Sequence, residues 1–207
     1  MPVWLSNFLP ILGLLVVVAF VIGRLPPVEG VTHSKEFRIR RVMNWLPLGL
    51  TYAFLYMGRY NLKVSKFAFE EMQATGGDTG ALDCSASSLM GNDDFGVIFT
   101  VGVWVYGSAF LINGPLTDKV GGRFAILVGA AGSAVANLLM GLAAYSLLNQ
   151  GPFYAEIAQN FVVLYSVLYG INMYFQSFGA VAVVKTNAPW FHVRERGVFG
   201  AIFGILI

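Results

Sequence analysis

Hydrophobic positions in this chain come in long uninterrupted blocks separated by short polar stretches. The blocks run roughly from Pro2 to Ile22, Val42 to Phe69, Phe95 to Leu116, Phe124 to Leu148 and Ile157 to Val184, and a further run opens at Val198 and reaches Ile207. Each full block reaches the roughly 20 apolar residues that a helix needs to cross the hydrocarbon core. Strands of a membrane barrel would alternate apolar and polar positions over about 10 residues, whereas Ile11 to Ile22 is apolar throughout. The pattern predicts an all-α multi-pass membrane protein: an anchor helix within 1–24, a basic linker over 25–41, and a helical bundle over 42–207. A cleaved secretory signal would carry Lys or Arg before its apolar run and small residues after it. Here no basic residue precedes the run, and Arg24, Leu25, Pro26 and Pro27 follow it, so the anchor is expected to be retained as an extra transmembrane helix.

Composition agrees. The 207 residues are 57% hydrophobic and 12% charged, against about 25% charged in soluble domains. The single Cys84 excludes an internal disulfide and a cysteine metal cluster, and the separated His33 and His192 disfavour a zinc site or a His-based triad. No enzyme activity, cofactor or metal is expected.

The net charge of +2 says little by itself, and no nucleic-acid partner is expected. What matters is where the basic residues fall, because cytoplasmic loops collect Lys and Arg. Arg24, Lys35, Arg38, Arg40 and Arg41 precede the second block; Lys119 and Arg123 lie between the third and fourth; Lys185, Arg194 and Arg196 follow the fifth. The alternate loops, about 70–94 and 149–156, hold no Lys or Arg but carry Glu70, Glu71, Asp78, Asp83, Asp93, Asp94 and Glu156. This alternation predicts a cell (inner) membrane location with the amino terminus outside and segment 35–41 in the cytoplasm.

Candidate chemistry concentrates in the second block. Tyr52, Tyr56, Arg59, Lys63 and Lys66 are spaced 4, 3, 4 and 3 apart and therefore share one stripe of a helix. Arg59 lies 17 residues after Val42, about 25 Å along the axis. A lipid-facing Arg near the middle of a bilayer costs at least about 2.5 to 3.5 kcal/mol, so this stripe is expected to face a wet cavity; snorkelling of Arg59 and Lys63 to the interface is the alternative. A second stripe, Tyr165, Tyr169, Asn172 and Gln176, occupies the fifth block. Its amides need partners inside a membrane, either another helix or a bound solute. Gly129, Gly132, Ser133, Ala136 and Gly141 in the fourth block read as close-packing positions. Buried Asp or Glu is missing from these blocks, which weighs against proton coupling in this part of the molecule.

Between the third and fourth blocks stands Gly114-Pro115-Leu116-Thr117-Asp118-Lys119-Val120-Gly121-Gly122-Arg123. This segment resembles the signature loop of the major facilitator superfamily, with Gly122 departing from a position usually basic there. The expected geometry is a cytoplasmic loop of about seven residues. In it Gly114 would permit close helix approach, Asp118 would cap the following helix, and Lys119 and Arg123 would sit among headgroups. Trp190-Phe191 and Glu195-Arg196-Gly197 resemble that family's second conserved segment. The resemblance implies the amino-terminal half of a major facilitator fold, with five core helices of which the last is cut short, plus the anchor. Its partner would be a carboxyl-terminal transporter half, on the same or a separate chain, and the conformational switch would use Gly114, Asp118, Lys119, Gly121, Arg123, Glu195 and Arg196.

Tyr56-Met57-Gly58-Arg59-Tyr60-Asn61 is similar to the aromatic, Arg and Asn segment of the organophosphate:phosphate antiporter family, in which the Arg binds phosphate. The likeness extends through Tyr106-Gly107 and Phe175-Gln176. It implies a secondary transporter exchanging a phosphorylated organic anion for inorganic phosphate by alternating access, with Arg59, Lys63, Tyr52, Tyr56, Asn172 and Gln176 at the substrate. Phe110 stands where glycerol-3-phosphate transporters have Lys. Two alternatives share these residues: a receptor-like sensor, and a transport-inactive structural subunit whose anchor docks another membrane protein.

Overall fold

A computed structural model describes residues 34–76, 90–194, 196, 197, 200 and 204, with single positions at 9, 12, 13, 16, 17 and 20; over 70–76 it describes the backbone alone. The expected anchor and the closing apolar run are thus touched only at isolated positions. Linker residues 25–33, Cys84 with loop residues 77–89, and Glu195 lie outside the described residues.

Everything regular among the described residues is helical: α1 (Lys35–Gly76), α2 (Asn92–Val120), α3 (Gly122–Leu148), the short α4 (Tyr154–Gln159) and α5 (Phe161–Asn187), followed by a 3-10 turn at Ala188–Trp190. Three of them, α2, α3 and α5 with its 3-10 extension, are long and apolar enough to cross a membrane, and the protein is an all-α membrane protein. The helix α1, at 42 residues, has the length to cross, but Arg59, Lys63, Lys66 and its basic first turns interrupt the apolar run. Two boundaries differ from expectation. Residues 35–41, read as linker, are the opening turns of α1. The signature segment is hardly a loop at all, because α2 continues through Pro115 to Val120 and α3 begins at Gly122.

The reason is Gly121. Its φ of +89° and ψ of 147° are open to glycine and strained for any side chain. This one residue closes α2, its N–H donating to the Thr117 carbonyl at 3.0 Å, and serves as the residue before α3. No side chain caps α3, so Asp118 does not take the capping role expected of it. Gly122 is equally constrained: a Cβ there would lie 2.4 Å from Thr186 Oγ1 and 3.0 Å from the Ala182 carbonyl on α5. The departure from a basic residue at this position has a steric cause.

The chain divides into two compact units, Met1–Ala53 with Asn187–Ile207, and Phe54–Thr186. In the first, Trp45, Leu48, Tyr52 and Phe191 are buried, Phe37 packs on Trp190 with ring centroids 5.7 Å apart, and Arg41 lies over the Phe191 ring at 5.0 Å.

In the second unit, α1 from Phe54 packs with α2, α3 and α5. Pairings fix the directions: Gly129 and Gly132 meet Phe175, and Met140 meets Tyr165, so α3 and α5 are antiparallel. Gly102 meets Tyr169 while Asn113 meets Ser177, so α2 and α5 run the same way. Added Cβ atoms at Gly102 and Gly132 would fall 2.4 and 2.2 Å from the rings of Tyr169 and Phe175, the close helix approach that small residues permit in membranes. Toward the end where α2 begins, Leu62, Phe69, Ile98, Met140, Leu147, Phe161, Tyr165 and Tyr169 form the apolar core. The Tyr165 hydroxyl donates to the Met140 carbonyl at 3.1 Å, as a buried phenol must.

Candidate functional site

A polar layer cuts across the second unit at the middle of its helices. Ser133 and Asn137 stand two residues either side of the centre of α3, Asn172 and Gln176 two residues either side of the centre of α5, and Tyr106 is the middle residue of α2. At about 1.5 Å of rise per residue this places the layer within about 3 Å of the midpoint of each span, where polar groups away from a water-filled cavity must find protein partners.

They do so through Asn172. Its Oδ1 accepts from Ser133 Oγ at 2.5 Å, Asn137 Nδ2 at 3.1 Å and Gln176 Nε2 at 3.0 Å. Asn137 Oδ1 in turn accepts from Asn61 Nδ2 at 3.1 Å. Asn172 and Gln176 are almost fully buried, and the Asn172 Nδ2 donor has no partner among the described residues. Backbone geometry lets α1 reach this layer: Gly58 has no side chain where a Cβ would lie 3.0 Å from Asn137 Nδ2.

Arg59 is the charge at the centre. Its Nε donates to Gln176 Oε1 at 3.0 Å, and its guanidinium carbon lies 4.5 Å from the centroids of both the Tyr56 and the Tyr106 rings. The two rings and the amide fix the plane of the guanidinium. Among the described residues no carboxylate pairs with it, and Nη1 and Nη2 make no hydrogen bond. A planar cation held by its Nε edge and stacked on ring faces presents its Nη edge as a pair of parallel donors, the geometry that binds phosphate or carboxylate bidentately.

Of the six side chains expected at the substrate, the fold brings Arg59, Tyr56, Asn172 and Gln176 together. Lys63 lies one turn along α1, with its Nζ 5.3 Å from the Tyr60 ring and 5.9 Å from the Phe99 ring. Tyr52 belongs to the other unit and is buried there. Phe110 packs edge-to-face on Tyr106 at 4.9 Å and so supports the ring under the guanidinium. Tyr106, Ser133, Asn137 and Asn61 are part of the layer without having been singled out for it. Asn137 had a usable signal, being the one amide in its apolar block; Ser133 had none beyond its small size.

The switch residues separate. Asp118, near the end of α2, forms an ion pair with Lys185 near the end of α5, and Lys185 Nζ also reaches the Gly114 carbonyl at 3.4 Å. Lys119 and Arg123 are exposed on either side of Gly121. In the other unit, Arg196 donates to the Ala188 carbonyl at 3.0 Å and the Phe191 carbonyl at 3.4 Å, which ties off the 3-10 turn.

Known proteins add a distant likeness. The chain is 21% identical over 126 residues to the membrane sensor protein UhpC of Salmonella typhimurium, covering 61% of this chain and 25% of that protein. It is 20% identical over 118 residues to the Escherichia coli protein of the same name, covering 57% and 23%. The matched stretch thus spans about a quarter of these curated relatives. No family model matches the chain, and no solved structure does.

Proposed function

We propose that this chain is the amino-terminal part of a facilitator-type secondary transporter, which exchanges phosphorylated organic anions for inorganic phosphate by alternating access. Arg59 carries the reading. A fixed cation at the mid-depth of the spans, stacked between two tyrosines and free of any carboxylate among the described residues, has the chemistry of an anion site rather than of a structural ion pair. Snorkelling would send the side chain along the helix toward an interface; instead it turns onto Gln176 near the centre of α5. Alternating access places substrate at the membrane midplane between two halves, and the polar layer has that depth. The Asp118–Lys185 pair, at the other end of α2 and α5, supports a conformational contact remote from the substrate.

A second reading, a receptor that binds the same anion and signals without net transport, draws support from the likeness to two membrane sensor proteins. Both readings require anion binding at Arg59 and differ in flux. Reconstituted full-length protein loaded with inorganic phosphate is expected to take up labelled organic phosphate in exchange. Binding of the organic phosphate without exchange selects the receptor, and neither binding nor exchange rejects both.

A further inference from the structure

Three cations of α1 face three aromatic rings of α2 in antiparallel register. Arg59 lies over Tyr106 at 4.5 Å, Lys63 over Phe99 at 5.9 Å and Lys66 over Phe95 at 5.5 Å. The rungs are 4 and 3 residues apart on α1, about 6 and 4.5 Å along the axis. They climb from the polar layer to the end of the unit where α2 begins, and there Lys66 Nζ also meets Asn92 Oδ1. Ring faces attract a cation through their quadrupole and leave its charge intact, whereas a carboxylate would neutralise it. Among the described residues neither Arg59 nor Lys63 has an acidic partner, in contrast with Lys185, which pairs with Asp118 between the far ends of α5 and α2.

We propose that Arg59, Lys63 and Lys66, each stacked on an aromatic ring of α2, form a stepped path along which a small oxyanion moves between the Asn92 end of the bundle and the mid-depth site. The inference rests on Arg59 being an anion site and adds the route that leads to it. Steps of this length let an anion approach one cation before leaving the previous one, and low-dielectric walls concentrate the field along the line.

Val103 offers a reporter. It is exposed and stands one turn from both Phe99 and Tyr106 on α2. In full-length protein carrying Cys84→Ser and Val103→Cys, purified in neutral detergent, the thiol is titrated with an anionic sulfonatoethyl and a cationic trimethylammonioethyl methanethiosulfonate. The path predicts faster reaction with the anionic reagent. Lys63→Gln should lower the anionic-to-cationic rate ratio by roughly 3- to 10-fold, the effect of removing one nearby unit charge in well-hydrated surroundings. High salt should lower the ratio in the protein that keeps Lys63, a readout that survives if the glutamine variant fails to fold. Inorganic phosphate should slow the anionic reagent. Equal rates for both reagents, no reaction with either, a ratio indifferent to Lys63→Gln and salt, or protection by anionic phospholipid but not by phosphate would each overturn the path. Phosphate binding weakened by Arg59→Lys together with equal reagent rates would reject the path and keep the central site. A charge-selective thiol with phosphate binding indifferent to Arg59→Lys would keep the path and reject Arg59 as its destination.

Discussion

Asn172 shows how one buried side chain can hold a membrane polar layer together. Its Oδ1 takes donors from α3 and from its own helix, and through Asn137 and Gln176 it fixes Asn61 and Arg59 on α1. Removing that oxygen takes an acceptor from three donors at once. Asn137 Nδ2 keeps the Ser133 carbonyl and Gln176 Nε2 the Ser133 hydroxyl, but the buried Ser133 hydroxyl loses its acceptor, and an unsatisfied buried group costs about 1 to 3 kcal/mol. Asn172→Leu is therefore expected to lower the thermal unfolding midpoint of the purified protein. It should also weaken anion binding, because Gln176 loses the contact that orients it toward Arg59. A variant that melts with the wild type would show the amides to be hydrated individually. The identity of these partners was beyond reach in the sequence. Helical spacing put Asn172 and Gln176 on one stripe, but which residue of another helix stands opposite depends on inter-helix register, which no local pattern encodes.

At the scale of elements, hydrophobic blocks located α2, α3 and α5 to within a few residues, since twenty apolar residues in a row leave little choice in a bilayer. The connections were less legible. Gly-Pro followed by polar residues reads as a loop, yet Pro115 sits inside α2 and the turn is Gly121 alone, because only a glycine accepts its backbone angles. The same packing makes a counterintuitive prediction. Gly122→Lys brings the segment closer to the facilitator pattern but drives a Cβ against Thr186 and the Ala182 carbonyl, so it should destabilise by about 1 to 3 kcal/mol, the usual cost of overpacking. Thermal melting in detergent decides it, and an unchanged or raised midpoint would mean that α5 yields easily there. The Asp118–Lys185 pair leads to a third expectation: Asp118→Asn and Lys185→Met should alter exchange rate alike, with phosphate affinity preserved in both. Unequal effects on exchange would show that the two act separately.

For the whole molecule, charge distribution is the argument that spans all segments, including those outside the described residues. Basic residues gather at one set of alternate connections and acidic residues at the other. Cys84 should accordingly react with an impermeant maleimide added outside intact cells; labelling confined to inverted membranes would reverse the orientation. The central claim concerns Arg59, and one comparison tests it most directly: inorganic phosphate binding to the full-length protein, wild type against Arg59→Lys. The substitution keeps the charge but loses the planar fork and the Nε bond to Gln176, so affinity should fall by about 1.5 to 3 kcal/mol, roughly 10- to 150-fold. Equal affinity in the two proteins would contradict the account, since a Lys that serves as well means that no bidentate anion site is built on this residue.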